Sequence, residues 1–499
     1  MSKSICCSAP GKVLVTGGYL VLDRLYDGIV FTIDSRFYTS IVSSPLLNNN
    51  NNKSNDDSVF ICDIVVHSPQ FKSSQSYHLF NNPNNENKLY QLIPFGNANY
   101  RENKYVENAI IYSLILASGY KDLQSSIGSL KLDITIQGDN GFYSQIPQLK
   151  ERNLPISFES LKSLPKCLPV VGTLQELQKT GLGSSAALVS SLTGALLSFL
   201  GVIDLNNSNN NNLKDKTLLH NLAQVAHCVA QGKVGSGFDI SSAIFGSQVY
   251  RRFSPEIISN ILKLSDKQLY PSAKELIENV NFENSKWDNQ HSDMALPPGL
   301  SLLLADVSIG SNTPSMVKSI LEWRKNQHST ALDLWTKLNE KNTDVKKHFT
   351  QLHALYRQDA GKYNRELLAC ATVDPVQWSG MNSVGTVLHS VRESFVAIRG
   401  LMREMGGLAD VPLEPVEQTR LADATMSIKG CVAAGVPGAG GFDALFAIII
   451  DSNADSSVSQ QVKQTWMSWK ECQVLPLVLC ENSSGILVEP AENAPSSKY

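Results

Sequence analysis

Apolar and polar positions alternate, with many β-branched side chains, over Ile29 to Val42, Val59 to Val66 and Leu130 to Gln137, and each stretch predicts a strand. A shorter strand is expected at Val13 to Thr16, opened by Pro10-Gly11 and ended by a turn at Gly17-Gly18. Helical spacing governs Tyr105 to Ser118, Leu218 to Gln231 and the apolar run Ile240 to Phe245. The pattern changes around Ser254, and a mixed polar region runs to Pro297-Pro298, which reads as a joint between a domain over 1–254 and one over 255–499. Beyond it, strands at Leu300 to Val307 and Ala444 to Ile450 frame helices over Ser315 to Lys325, much of Ala331 to Cys370, and Val384 to Met405. Asparagine-rich tracts at Asn48 to Asn52, Asn81 to Asn87 and Asn206 to Asn212 are too polar to bury and read as surface loops.

Between the predicted strands and helices lies Lys179-Thr180-Gly181-Leu182-Gly183-Ser184-Ser185-Ala186-Ala187, which leads into an apolar run to Leu200. A glycine-rich loop that opens a helix offers unpaired N–H groups and the positive end of the helix dipole to an anion. A bare G-x-G, however, most often marks only a tight turn before a buried helix. Gly181, Gly183 and Ala186 also fit a dinucleotide fingerprint, with Asp204 downstream. That motif needs a buried strand before it, and Gln175, Glu176, Gln178 and Lys179 are too polar for one. A non-Walker nucleotide triphosphate loop is the third reading.

Composition narrows the partners. With 43 basic against 46 acidic residues, net charge −3, no global field recruits nucleic acid or an anionic membrane, so an anion site must be built locally. Nine scattered cysteines form no C-x-x-C pair or metal-ligand spacing, which suits a reducing compartment. No apolar run reaches membrane-spanning length, and the terminal Ser-Ser-Lys-Tyr is not a Ser-Lys-Leu address, so the cytosol is the expected location.

Two further glycine-rich turns bear on the choice. Gly232-Lys233-Val234-Gly235-Ser236-Gly237-Phe238-Asp239 ends in a carboxylate that on its own reads as a helix cap, and Gly435-Val436-Pro437-Gly438-Ala439-Gly440-Gly441 precedes a strand. Lys12, at the start of a strand, would by itself be an ordinary solvated lysine. His220 and His227 read as packing or surface residues, since no carboxylate or cysteine accompanies them at ligand spacing.

Taken together, Pro10-Gly11-Lys12, Gly181 to Ala187 and Gly435 to Gly441 resemble the three signature motifs of the GHMP kinases, in that superfamily's order and across Ala9 to Ala447. With Gly17-Gly18-Tyr19 where mevalonate kinases usually carry Gly-Glu-His, and with the run Gln231 to Asp239, the chain most resembles the eukaryotic type of phosphomevalonate kinase. The resemblance implies a two-domain α+β fold, with an N-terminal domain similar to ribosomal protein S5 domain 2 and a ferredoxin-like C-terminal domain. ATP and substrate would meet in the cleft between them. It further implies ATP- and Mg²⁺-dependent phosphorylation of 5-phosphomevalonate to 5-diphosphomevalonate, a step of the mevalonate route to isoprenoids, by a monomer or homodimer acting on a small molecule.

By the same resemblance Lys12, Lys179 and Asp239 are catalytic, with the two lysines bracketing the γ-phosphoryl. Lys179, Thr180, Gly181, Leu182, Gly183, Ser184, Ser185, Ala186 and Ala187 cradle ATP, with Ser184 donating to a phosphate and Ser185 on the metal. Lys12, Tyr19, Ser311, Thr313, Gly438, Ala439 and Gly440 face the substrate; Arg251 and Arg252 are either partners for its phosphate or an exposed basic pair. One departure stands out: mevalonate kinases carry a metal-binding Glu about three helical turns before the catalytic Asp, and here no acidic residue lies between Asp215 and Asp239. Mevalonate kinase is the alternative within the superfamily. Outside it stand a dinucleotide-dependent oxidoreductase and a non-catalytic GHMP-fold sensor, which should have lost Lys12, Lys179 or Asp239.

Overall fold

The computed structural model describes residues 3–46, 58–96, 100–172, 177–206, 211–307, 313–451 and 457–495. Two separate sheets carry the chain. In the first, β1 (Ser4–Thr16), β2 (Gly28–Pro45), β6 (Leu130–Gly138), β3 (Val59–Ser68), β4 (Ser73–Asn81) and β5 (Tyr90–Phe95) lie side by side in that order. All of these pairings are antiparallel except β3 with β6. The short β7 (Gln248–Arg251) pairs with β2 and with β8 (Gln290–Asp293), and β13 (Leu487–Val488) returns from the far end of the chain to the free edge of β1.

Strand β1 begins well before the Val13 to Thr16 expected from sequence, and Pro10-Gly11 lies inside it rather than opening it. Burial already begins at Ile5 and Cys6 and continues along the strand, and the register with β2 shifts between Pro10 and Lys12, a bulge beside a proline that has no N–H to pair. This bulge bears directly on function, because it sets the direction in which Lys12 leaves the sheet.

Against β1 and β2 lies α2 (Ser184–Phe199), flanked by α1 (Lys104–Ser118) and α3 (Asn211–Gln231). Its small residues Ala186, Ala187, Ala195 and Gly194 allow that close approach, and nearly every side chain past Ser185 is buried. Helix α4 (Phe238–Phe245) packs across α2 and α3.

The second sheet is antiparallel, in the order β10 (Cys431–Gly435), β11 (Ala444–Ile450), β9 (Leu300–Asp306), β12 (Leu475–Pro476). Every residue of β11 is buried, as its unbroken apolar run requires. Helix α7 (Ser383–Ala409) packs on β10, with α6 (His328–Gln358) and α5 (Thr313–Asn326) packed on α7, and the α+β class expected from the resemblance is what the chain adopts. None of the nine cysteines is in a disulfide. Among the described residues no helix is long and apolar enough to cross a membrane.

Candidate active site

The three signature motifs, at Lys12, Gly181 and Gly438, meet at one place. From the first, Lys12 donates its backbone N–H to Leu182 O at 2.9 Å and its ammonium to Gly181 O, also at 2.9 Å. Leu14 O accepts from Gly438 N–H at 2.9 Å, and Tyr19 Oη donates to Ala439 O at 2.8 Å, which ties the first turn to the third. Residues more than 400 positions apart are thus joined by two hydrogen bonds, and a cavity of about 240 Å³ opens between them. Lys12, Tyr19, Gly181, Ser236, Gly438 and Asp443 line it, together with apolar side chains.

The Lys12 ammonium also sits 5.3 Å from the centre of the Phe238 ring. Burial pushes its pKa down, and the Asp239 carboxylate partly offsets that shift. Asp239 lies in the first turn of α4, after Gly237 in a left-handed conformation, and its Oδ1 accepts Ile240 N–H at 3.0 Å. The cap residue is therefore Gly237, and the carboxylate bonds a first-turn amide while facing Lys12 and His227 electrostatically.

In the central loop, Gly183 caps α2 with φ +79°, a conformation costly for any residue with a Cβ. A Cβ there would also lie 3.0 Å from Lys12 Cε, so this glycine makes room for the lysine. The helical ladder starts with Ala187 N–H to Gly183 O at 3.1 Å, which leaves the amides of Ser184, Ser185 and Ala186 without a partner inside the helix. These three can face an anion. Ala187 spends its amide on the ladder, and the methyls of Ala186 and Ala187 are buried in the core. Thr180 is buried and donates its hydroxyl to Gly141 O at 2.6 Å, and Leu182 is a core side chain, so both shape the loop from behind. Ser184 lies near the Tyr143 hydroxyl, and Ser185 Oγ lies 3.1 Å from His227 Nε2.

Several expected residues stand elsewhere or act differently. Lys179 is exposed, bridges Tyr143 through its backbone and does not line the cavity. Local sequence put it at the mouth of the loop, but the bridge to Tyr143 turns it outward. Tyr19 does line the cavity, yet its proton is committed to the third turn. Arg251 pairs with Asp27 at 2.8 Å, while Arg252 is buried and donates to Leu22 O and to Gly235 O, holding the Gly232–Gly237 turn against the segment that follows Gly17-Gly18; the two do not form a solvated basic pair. Ser311 lies outside the described residues, and of Thr313 only the backbone, as the first residue of α5, is described.

Sequence reasoning passed over His227, which is 3% exposed and is brought against Ser185 by the packing of α3 on α2. Burial pushes its imidazole below the usual range, against the pull of Asp239. Tyr143 and Asp443 were also missed: the first lies in an unremarkable loop, whereas the second ends the third glycine motif and was legible there. On the far side of His227, Tyr105 packs on its ring at 5.6 Å between centroids and lines a second, larger cavity of about 1280 Å³ together with Arg101, Lys104, Lys72 and Arg152. The small cavity reaches the central loop at Gly181 and Leu182, and the large one lies beyond His227 on the side of Tyr105.

Residues 149–247 match the family model described as the GHMP kinases N terminal domain. Over 98% of its length the chain is 36% identical to the peroxisomal phosphomevalonate kinase of Arabidopsis thaliana, covering 97% of that protein. It is 34% identical to the phosphomevalonate kinase of Aspergillus fumigatus, over 93% of this chain and 91% of the relative. The fold is similar to that of Streptococcus pneumoniae phosphomevalonate kinase in complex with phosphomevalonate and AMPPNP, with TM-score 0.55 at 14% identity, covering 96% of this chain and 99% of that one.

Proposed function

The chain belongs to the phosphomevalonate kinases of the GHMP superfamily, and from that premise we propose how its cleft carries out the family's reaction. The enzyme transfers the γ-phosphoryl group of ATP to 5-phosphomevalonate and releases 5-diphosphomevalonate and ADP. An oxygen of the acceptor phosphate forms the new bond to Pγ, and the bond from Pγ to the β,γ-bridging oxygen breaks. The observation that carries our reading is that the Lys12, Gly181 and Gly438 motifs, distant in the chain, line one cavity and are tied together by hydrogen bonds.

Phosphoryl transfer asks the protein for position and charge neutralisation more than for covalent help. The free amides of Ser184, Ser185 and Ala186 take the ATP phosphates at the positive end of α2. The nucleoside goes to the larger cavity beside Tyr105, and phosphomevalonate to the smaller one among Lys12, Tyr19 and the Gly438–Gly440 turn. Lys12 lines the smaller cavity and bonds the central loop at Gly181, where its charge can stabilise the phosphoryl group in transit.

Asp239 has little to do as a base. The acceptor is a phosphate monoester with a second pKa of about 6, so it is mostly dianionic at neutral pH. Its carboxylate instead holds the Lys12 ammonium in register. Among the described residues no cluster of three or more His, Cys, Asp or Glu could cage a metal ion. That suits Mg²⁺, which in such sites is held by few protein oxygens and by the phosphates themselves. The Ser185 hydroxyl and the Asp239 carboxylate, which share His227 as a neighbour, are the oxygens that would hold it. When bound, the ion neutralises charge on the phosphate oxygens.

A division into a 1–254 ATP-binding domain and a 255–499 domain goes with this reading; the second sheet falls wholly beyond residue 254, while β8 and β13 cross back to complete the first. So does a cytosolic location, although the Arabidopsis relative is named as peroxisomal. Release of ADP from Mg-ATP by the purified protein, measured with 5-phosphomevalonate and with mevalonate, tests the assignment. Turnover is expected with the phosphorylated substrate and little with mevalonate; faster turnover of mevalonate would overturn it.

A further inference from the structure

His227 has no part in the steps above, yet α3 delivers it to the start of α2. Its Nε2 lies 3.1 Å from Ser185 Oγ and 3.2 Å from Gln231 Nε2, one turn further along the same helix. The ring is buried, with Tyr105 packed on it. An amide NH₂ can only donate, so the nitrogen it meets carries a lone pair and no proton. The Ser185 hydroxyl shares that lone pair and is therefore a donor as well. A hydroxyl has one proton and two lone pairs; with its proton turned towards His227, Ser185 is left to offer lone pairs alone at the open end of α2. Ser184 differs, because its neighbour is the Tyr143 hydroxyl, a group that imposes no direction on a hydroxyl proton.

We propose that His227 is a positioning residue that draws the Ser185 proton inward, so that this hydroxyl serves as a ligand for a divalent cation and not as a donor to phosphate. The proposal rests on the Mg-ATP reading of the same site. It deepens that reading by assigning the second hydroxyl of the loop to the metal through a side chain from another helix. It also explains how the chain manages without an acidic residue on the C-terminal part of α3: a neutral acceptor prepares the serine where no carboxylate is present.

The test is the coupling between Mg²⁺ and ATP, taken as the ratio of ATP dissociation constants measured calorimetrically with EDTA and with saturating Mg²⁺. In His227→Leu the ratio should fall about tenfold, the worth of one oriented hydrogen bond to a charged ligand, while metal-free ATP binding stays within about threefold of wild type. His227→Gln, whose Oε1 can stand where Nε2 lies, should keep the wild-type ratio. In a Ser185→Ala background His227→Leu should lower the ratio no further, since both changes remove the same ligand. An unchanged ratio in folded His227→Leu, or additive losses in the double variant, overturns the proposal. Should His227→Leu not fold, Ser185→Ala decides alone: loss of coupling with metal-free affinity retained supports the proposal, and equal weakening with and without metal makes Ser185 a phosphate donor and refutes it. If the wild-type protein binds no ATP under either condition, the kinase reading itself fails.

Discussion

Replacing Lys12 with methionine separates a charge used in the transition state from a lysine that merely packs. The ammonium has three neighbours: Gly181 O at 2.9 Å, the Phe238 ring at 5.3 Å and the Asp239 carboxylate opposite. Methionine keeps much of the apolar stem against Gly183 and Phe238 and removes the charge. At about 4 Å and an effective dielectric of 20, one unit charge on another is worth about 4 kcal/mol, and deletion of a single transition-state donor in other enzymes costs about 2.7–4 kcal/mol. The expected loss in kcat is therefore about 100- to 1,000-fold, with a smaller change in ATP affinity because the α2 amides still hold the phosphates. Stability should hardly fall. Burial already penalises the charged ammonium, so the lost hydrogen bond is offset by relief of desolvation. The sign of the pH effect follows from that penalty. A lysine whose folded pKa lies below its unfolded value binds fewer protons when folded, so wild type gains stability over Lys12→Met as pH rises between the two values. In kcat/KM, the alkaline limb of wild type should fall below the usual lysine range and vanish in the variant. Steady-state ADP release, with a thermal melt of the same samples, reads all of this. A folded Lys12→Met protein with kcat within about threefold of wild type would refute the transition-state role.

Two further predictions follow from the same geometry. Asp239→Asn keeps the first-turn bond to Ile240 and removes the charge facing Lys12, so kcat should drop at every pH in parallel with wild type; disappearance of the acid limb in the variant would restore Asp239 as a general base. Gly183→Ala and Gly440→Ala should differ in kind. The first meets only the flexible stem of Lys12 and should cost about 1 kcal/mol of stability, from its left-handed backbone, together with part of kcat. The second would drive a Cβ into the Leu413 carbonyl and should lower the melting temperature by more than the first; equal melting temperatures would contradict that packing.

Local sequence was enough for the elements and for the loops that carry the chemistry. The alternation over Ile29 to Val42, the helical spacing of Leu218 to Gln231 and the glycines of three turns specify backbone conformations that depend on neighbours a few residues away, and all of these elements formed, with ends displaced where a bulge or a cap intervened. Lys12 on its own reads as an ordinary solvated lysine, and only the resemblance of the three motifs to the GHMP kinases singled it out. What each side chain meets was not legible, because hydrogen-bond partners in this site lie far apart in the chain and are chosen by packing. Burial of α2 against β1 and β2 turned Lys12 onto Gly181 O, and the bridge to Tyr143 left Lys179 in solvent. The same packing bound Arg252 to two backbone carbonyls and committed the Tyr19 proton to Ala439. His227 is the sharpest case. On its own helix it is one histidine among apolar neighbours, and only the crossing of α3 over α2 brings its lone pair to Ser185, since a hydrogen bond forms over about 3 Å in space and carries no trace of the 42 residues between them.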